Sequence, residues 1–407
     1  MRYVNISIGT MDSFLMNKAV EEVRGMGYDI EYRNFDNTDL DEDPLFLAEA
    51  VEFISGADFV TIKVHGDTSY CKKFDKISNA LQMHHVCMHL SCTDDCVTEA
   101  FRDYFLGTDD EYDLVMRYAV LGGDGNFISL IKWALNRFDG LDLEIDPPIR
   151  PRTEGVYYPG REVCSFQDYL SELDMSRPNI GIFFYQKQWV TGNLDNVDGL
   201  IRAVESLGAN PIAMFFNTSE GKIDGSKGIK RILREDMTID GEPVLDAIIN
   251  TMSFSQTLIA TPGTGDQLCD DNFFMDYGVP VLQAMTMVST EEHWRDHLEG
   301  LIPAEIAYDV VHPEFDGQII TVPSSSTEVT EKGSRYYHSI KDRALRIADM
   351  AVMWAKLRHI KNKDRKVAIL LYQYPPKNAD AGGAAGLDTF ASVVNILHRM
   401  RADGYDV

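Results

Sequence analysis

Apolar residues along this 407-residue chain recur in one order three times. A short run fit for a buried strand is followed by a polar loop, an amphipathic helix, and a glycine turn into a second strand. The first copy is the run Tyr3–Ile8, a helix near 17–26, and Gly27 leading into Ile30. The second is Asn179–Tyr185, a helix near 197–207, and Gly208 leading into Ile212. The third is Lys366–Tyr372, a helix near 389–402, and Gly404 before Val407. Strands alternating with helices predict α/β modules with parallel sheets of Rossmann-like or flavodoxin-like kind. The third copy stops within a strand, which predicts a truncated last module and a longer polypeptide.

Further elements fill the frame. Phe59–Val64 predicts a second strand of the first module, after a helix through 47–54. The turn Leu121-Gly-Gly-Asp-Gly-Asn126 opens that module's last helix, 127–137. Prolines at 147, 148 and 151 break regular structure. This divides the chain into a module over 1–150, a connector over 151–177 with a helix at 166–173, and a second module over 178–335. Within the second module, 247–250 and 279–283 predict buried strands and 317–322 a short hairpin-like strand. A helix over 336–357 carries Ile340, Ala344, Ile347, Ala348, Ala351, Trp354 and Ala355 at helical spacing. With the basic stretch 356–365 it links to the third module, 366–407.

Charge and composition narrow the function classes. The formal net charge of −26 argues against nucleic acid or an anionic membrane as partner, since both attract basic surfaces. No apolar run reaches the length of a membrane span, and Met1-Arg2-Tyr3 enters a strand directly, without a signal-peptide pattern. Six cysteines, four of them within 71–96, form no disulfide framework, so a reducing cytoplasm is expected.

Several clusters carry possible chemistry. Residues 84–96 hold six His and Cys side chains; on a helix, His85, His89, Cys92 and Cys96 would share a face and offer imidazole and thiolate to a metal. The same run also suits a buried strand. His65 follows the run 59–64 at the carboxyl end of a strand, where open α/β sheets bind ligands. Tyr185, Trp189 and Asn193 lie in a loop after the second module's first strand and could stack on a flat ligand and hydrogen-bond its edges. His312, Glu314 and Asp316 fall in a turn where His312 or Glu314 could move a proton, although Asp316-Gly317 is also an ordinary turn pair. Gly122-Gly123-Asp124-Gly125 reads as a tight turn and helix start, not a dinucleotide fingerprint, because position 128 is Ile. No P-loop pattern for ATP occurs.

Taken in order, a string of motifs resembles the large subunit of cobaltochelatase and, more distantly, the porphyrin-binding large subunit of magnesium chelatase. The string is Gly155–Pro159, Arg177–Tyr185 with Trp189 and Gly192-Asn193, Val197–Ile201, Pro280–Gln283, Gly300–Pro303 running into Pro313–Gly317, and Tyr374-Pro375 followed by Gly386–Thr389. The resemblance implies ATP-dependent insertion of a divalent metal, cobalt or alternatively magnesium, into a tetrapyrrole. In the nearest branch this is a corrinoid precursor of cobalamin. Separate AAA+ ATPase subunits would use the ATP, and Tyr185, Trp189, Asn193, Gln283, Asp316 and His65 become candidate substrate contacts. The sequence departs from the family in length and lacks its later His-Gly-Thr-x-Glu-Trp motif. The loop 376–385 also lacks the usual arginine. A non-catalytic tetrapyrrole- or metallophore-binding module is the alternative.

Overall fold

The structure, a computed structural model, describes residues 1–9, 13–65, 67–92, 95–218, 225–261, 265–268, 272–329, 335–374, 381–383 and 385–407. Gly66 and most of the 375–385 loop, both singled out by the sequence, lie outside these residues.

The first lobe is built from β1 (Arg2–Ile8), α1 (Ser13–Gly25), β2 (Glu31–Asp36), α2 (Pro44–Ser55), β3 (Phe59–Val64), α3 (Phe74–His84) and β4 (Cys87–Cys92). Two helices, α4 (Asp109–Leu121) and α5 (Asp124–Phe138), complete it. Its four strands are all parallel, in the order β2-β1-β3-β4. Helices on both faces explain why β1, β3 and β4 are buried almost throughout, whereas the edge strand β2 keeps exposed and half-buried positions. One face packs Tyr3 and Phe59 under α1 and α5; the other packs Ile6, Ile62 and Leu90 under α2 and α3.

Gly122 and Gly123, at φ +65° and +89°, end α4 and start α5 in a conformation that side chains disfavour. Asn126 fixes this turn by donating from Nδ2 to the carbonyls of Gly122 and Ile149. The glycine motif therefore acts as the expected turn and helix start.

The second lobe has one seven-stranded sheet. Its strands are β5 (Gly155–Tyr157), β6 (Asn179–Tyr185), β7 (Asn210–Phe216), β8 (Ala247–Asn250), β9 (Val281–Thr286), β10 (Ile319–Val329) and β11 (Arg335–Ser339). The order is β11-β10-β9-β8-β6-β7-β5, parallel at the centre with antiparallel edge strands β5 and β11. Between β6 and β7 lie α6 (Gln186–Thr191) and α7 (Asp195–Ser206). After β11 comes α8 (Lys341–His359), whose Ala344, Ala348, Ala351 and Ala355 let it approach the sheet closely.

The α/β class with parallel sheets is the one the alternation predicts, but several local expectations need correction. The helix expected from 336 starts only at 341, because Arg335–Ser339 pairs with β10 as an edge strand. The short strand expected over 317–322 extends to Val329, since β9 and β11 hydrogen-bond it on both sides. The loop expected after Tyr185 is the helix α6. The run Lys366–Tyr372 forms no strand among the described residues; Val367 and Leu370 are exposed, as are Phe390 and Val394 on α9 (Thr389–Ala402). An apolar run becomes a buried strand only when neighbouring strands satisfy its backbone, and no strand of the described residues lies beside this one. Gly155–Tyr157, expected within a connector, is hydrogen-bonded to β7 in the second sheet.

The two lobes meet near the carboxyl ends of their strands. Val190 of α6 packs on the first lobe's core, Lys187 lies over Gly122, and Arg335 of β11 reaches Asp36 at 4.0 Å. No helix among the described residues is long and apolar enough to cross a membrane.

Candidate active site

In the second sheet the chain leaves β6 for β7 on one side, then returns to β8 on the other. The carboxyl ends of β6 and β8 therefore flank a topological switch point, where loops diverge and open α/β sheets leave a crevice for ligands. Tyr185 ends β6, and its hydroxyl donates to the Ser253 carbonyl just beyond β8 at 2.9 Å. This bond ties the two loops together across the switch point.

A polar network beneath holds the β8 loop in shape. Asn250 donates from Nδ2 to Gln283 Oε1 at 3.1 Å and to Gln318 Oε1 at 3.0 Å. Gln283 in turn donates to the Met252 carbonyl at 3.1 Å. Asp316, 2 % exposed, accepts from the Ser255 hydroxyl, the Gln256 backbone N–H at 2.7 Å and both the backbone N–H and hydroxyl of Thr257. Gln283 and Asp316, candidate substrate contacts in the sequence, thus face the interior and position the 253–257 loop. Their polar atoms are engaged by the protein itself.

One turn before His312 lies a group that the sequence did not single out. Asp309 is 1 % exposed and sits on a widened helical segment, Ile306–Val311. Neither of its carboxylate oxygens has a partner at normal hydrogen-bonding geometry. Burial pushes its carboxyl from 3.8 up to about 7; repulsion from Glu305 adds to this, and the nearby Ser253 side chain opposes it. Tyr185, Tyr308 and Tyr337 feel its charge. Burial first, and repulsion from Asp309 after it, raise the Tyr308 and Tyr337 hydroxyls to about 12, and Tyr185 is raised further. All three therefore remain hydrogen-bond donors at neutral pH. Glu305 is spoken for, since it accepts the backbone N–H groups of Val288 and Ile302.

An aromatic wall adjoins this acid. Phe254, 49 % exposed, stands at φ +66°, a left-handed conformation that costs a bulky side chain about 1–2 kcal/mol. Its backbone N–H donates to the Tyr308 carbonyl at 2.7 Å. Its ring lies 5.3 Å from that of Tyr308 and 5.9 Å from that of His312. His312 therefore joins the cluster, whereas Glu314, two residues on in the turn of helix His312–Phe315, is exposed.

The other candidates lie elsewhere. Trp189 stacks on Phe215 with ring centres 4.4 Å apart and planes at 3°, against the sheet. Asn193 accepts the Tyr337 backbone N–H at 2.8 Å and so anchors β11. His65 is exposed at the carboxyl end of β3, beside the first sheet's own switch point, with its N–H bonded to Ile8. The helix that would align His85, His89, Cys92 and Cys96 does not form. His85 caps α3 at φ 50°, His89 and Cys92 fall three apart on β4 and so on opposite faces, and Cys96 is exposed on the helical turn Asp95–Ala100. Burial holds the His89 ring at about 3, with Arg102 and Lys63 adding to the effect. No group of three or more His, Cys, Asp or Glu among the described residues is arranged to hold a metal ion.

The Asp309 carboxyl makes a measurable contribution to stability. Its folded value lies above its unfolded one, so the contribution is complete below about pH 4 and is lost as pH rises through about 7. Relative to Asp309→Asn, the protein should lose on the order of 3–4 kcal/mol across that window. Urea unfolding of both proteins at either end of the window measures it, and a constant difference would rule out burial as the cause.

The family model described as CobN/Magnesium Chelatase matches residues 116–407, which include the whole second sheet and the Asp309 cluster. This chain belongs to that family. An uncharacterized protein of Methanocaldococcus jannaschii is 34 % identical over 311 residues, covering 74 % of this chain and 25 % of that protein. The chloroplastic magnesium-chelatase subunit ChlH of rice (Oryza sativa subsp. indica) is 26 % identical over 297 residues, covering 69 % of this chain and 21 % of that one. The catalytic subunit of cobaltochelatase from Mycobacterium tuberculosis superposes with a TM-score of 0.66 at 23 % identity, over 100 % of this chain and 31 % of that structure, and so shares the fold. The chain spans between a fifth and a quarter of the length of these curated relatives.

Proposed function

We propose that the chain is the N-terminal part of the large, tetrapyrrole-binding subunit of an ATP-dependent metal chelatase working in the cytoplasm. The observation that carries this reading is the site at the second switch point, inside the region matched by the family. Metal insertion requires that ring N–H protons leave and that the metal shed water. An aromatic wall at Phe254, Tyr308 and His312 suits a flat macrocycle, and a neighbouring buried acid suits its N–H groups. His312, partly exposed beside Phe254, and the exposed Glu314 are the groups proposed to handle protons or the incoming metal. The metal itself is a substrate, and ATP would be used by AAA+ partner subunits.

Within this reading we favour cobalt insertion into a corrinoid precursor. Insertion of magnesium into a porphyrin is the second reading, supported by the likeness to the rice magnesium-chelatase subunit. Absorbance titration of a metal-free tetrapyrrole with this chain tests the proposal. The expected result is weak binding, seen as a band shift, and no metallation on adding cobalt(II) or magnesium without a partner ATPase. Absence of any band shift would sink the tetrapyrrole reading; rapid metallation would sink the need for further polypeptide and partners.

A further inference from the structure

A buried carboxylate with no hydrogen-bond partner is unusual, because leaving it unpaired costs several kcal/mol in a folded protein. Neither oxygen of Asp309 has a partner at normal geometry, although the Ser253 side chain lies near enough to favour its ionised form, and its surroundings are chemically selective. Among the described residues, the titratable groups that couple to it are an acid and tyrosines. These are Glu305 from the preceding turn, Tyr308 from its own segment, Tyr185 from the end of β6, and Tyr337 from β11. The loop after β8 adds the Ser253 side chain. Among the described residues, no Lys, Arg or His neutralises the group. Its two acceptor oxygens lack a partner at normal geometry, so the group can still take up a donor. The Tyr185 hydroxyl is already committed to the Ser253 carbonyl, and exposed Phe254, held in a strained conformation, offers a flat apolar face on the same loop.

The described residues at the first lobe's own switch point are arranged differently. There the row Asn34, Asn5 and Thr61 is satisfied internally: Asn5 donates to Asn34 at 2.7 Å and accepts from the Thr61 hydroxyl at 2.9 Å. The idle carboxylate therefore belongs to the second switch point and not to the fold in general.

We propose that Asp309 is the proton acceptor for the ring N–H groups of a planar, nitrogen-containing macrocycle seated against Phe254 and Tyr308. This inference rests on the tetrapyrrole reading and deepens it by naming the residue. In the step, a ring N–H bond breaks, its proton passes to a carboxylate oxygen of Asp309, and the electron pair left on nitrogen binds the divalent metal substrate. A carboxyl balanced near neutrality takes up and releases that proton with little driving force in either direction.

The test is binding of metal-free deuteroporphyrin to this chain, followed by absorbance between about pH 5 and about pH 9. The ionised acid accepts an N–H far more strongly than the neutral one, so affinity should rise by up to about tenfold per pH unit up to about 7 and then level off. The zinc complex of the same porphyrin has no N–H and should show no bend. Asp309→Asn should flatten the profile, with its thermal transition showing that the fold is kept. Ser253→Ala, at a partly exposed position, leaves the backbone carbonyl that holds Tyr185 in place and should move the bend to higher pH. A flat profile for the unaltered chain, or a bend that survives both Asp309→Asn and zinc, overturns the inference while leaving tetrapyrrole binding intact. No binding at any pH overturns the tetrapyrrole reading itself, and the ligand named here with it.

Discussion

Asp316→Ala should destabilise the second lobe by about 3–5 kcal/mol, well beyond the usual effect of removing one side chain. The carboxylate is buried and accepts from the Ser255 and Thr257 hydroxyls, the Gln256 and Thr257 backbone N–H groups, and Gln318 Nε2 at 3.2 Å. Truncation leaves these donors facing one another without water, and each unsatisfied buried donor costs about 1–3 kcal/mol. Asp316→Asn offers little relief. Oδ1 and Oδ2 both accept, so whichever position the amide nitrogen takes sets N–H against N–H. The loss should be felt at the candidate site, because the loop that Asp316 holds also carries Ser253 and Phe254. Urea unfolding of the two variants, followed by tryptophan fluorescence, measures the effect. An alanine variant within about 1 kcal/mol of the parent would mean that water or a rearranged loop replaces the carboxylate.

Gly199→Ala should also be destabilising, by about 2 kcal/mol, against the ordinary expectation for a helix. Replacing glycine by alanine in a helix interior normally gains roughly 0.5–1 kcal/mol. Gly199 sits on α7 where that helix crosses β11, and a Cβ there would come within 2.7 Å of the Ser339 Cβ and closer still to its hydroxyl. Overpacking of a tight contact costs about 1–3 kcal/mol, so the clash outweighs the gain in propensity. Any relief must come from β11 shifting. That strand is fixed by Asn193 accepting the Tyr337 N–H and by Asp195 accepting the Ser339 N–H at 2.9 Å. The double variant Gly199→Ala with Ser339→Gly should recover most of the loss, a coupling that thermal unfolding of the four proteins in the cycle can read. If the single variant proves as stable as the parent or more so, the close approach of α7 to β11 is wrong.

Both predictions concern residues inside motifs that the sequence displays, yet their roles could not be read there. Val197-Asp198-Gly199-Leu200-Ile201 and Pro313-Glu314-Phe315-Asp316-Gly317 stand out as motif pieces. A motif does not say whether its glycine admits a ligand or a neighbouring strand, nor whether its aspartate faces solvent or a loop backbone. Gln283 and Asn193 are similar cases: their amides look like ligand contacts in one dimension and prove to be ties between loops and strands. Trp189 reads as a stacking platform and does stack, but on Phe215.

What the sequence determined by itself is the local and periodic part. Strands at 2–8, 59–64, 179–185 and 247–250 follow from short apolar runs bounded by polar or turn residues, because a strand buried on both faces needs little else. The α/β class follows from their alternation with helices, and the family from motif order along the chain. The tertiary structure alone decided the rest. Arg335–Ser339 became a strand and not the start of a helix because β10 offered it an edge. Lys366–Tyr372 stayed unpaired because no described strand lies beside it. Asp309 gives no signal in a sequence that holds 64 acidic residues. Its chemistry comes from desolvation, from nearby Glu305 and from Ser253, and the tyrosines that feel its charge, Tyr185 and Tyr337, are distant along the chain and brought beside it only where the second sheet reverses its strand order.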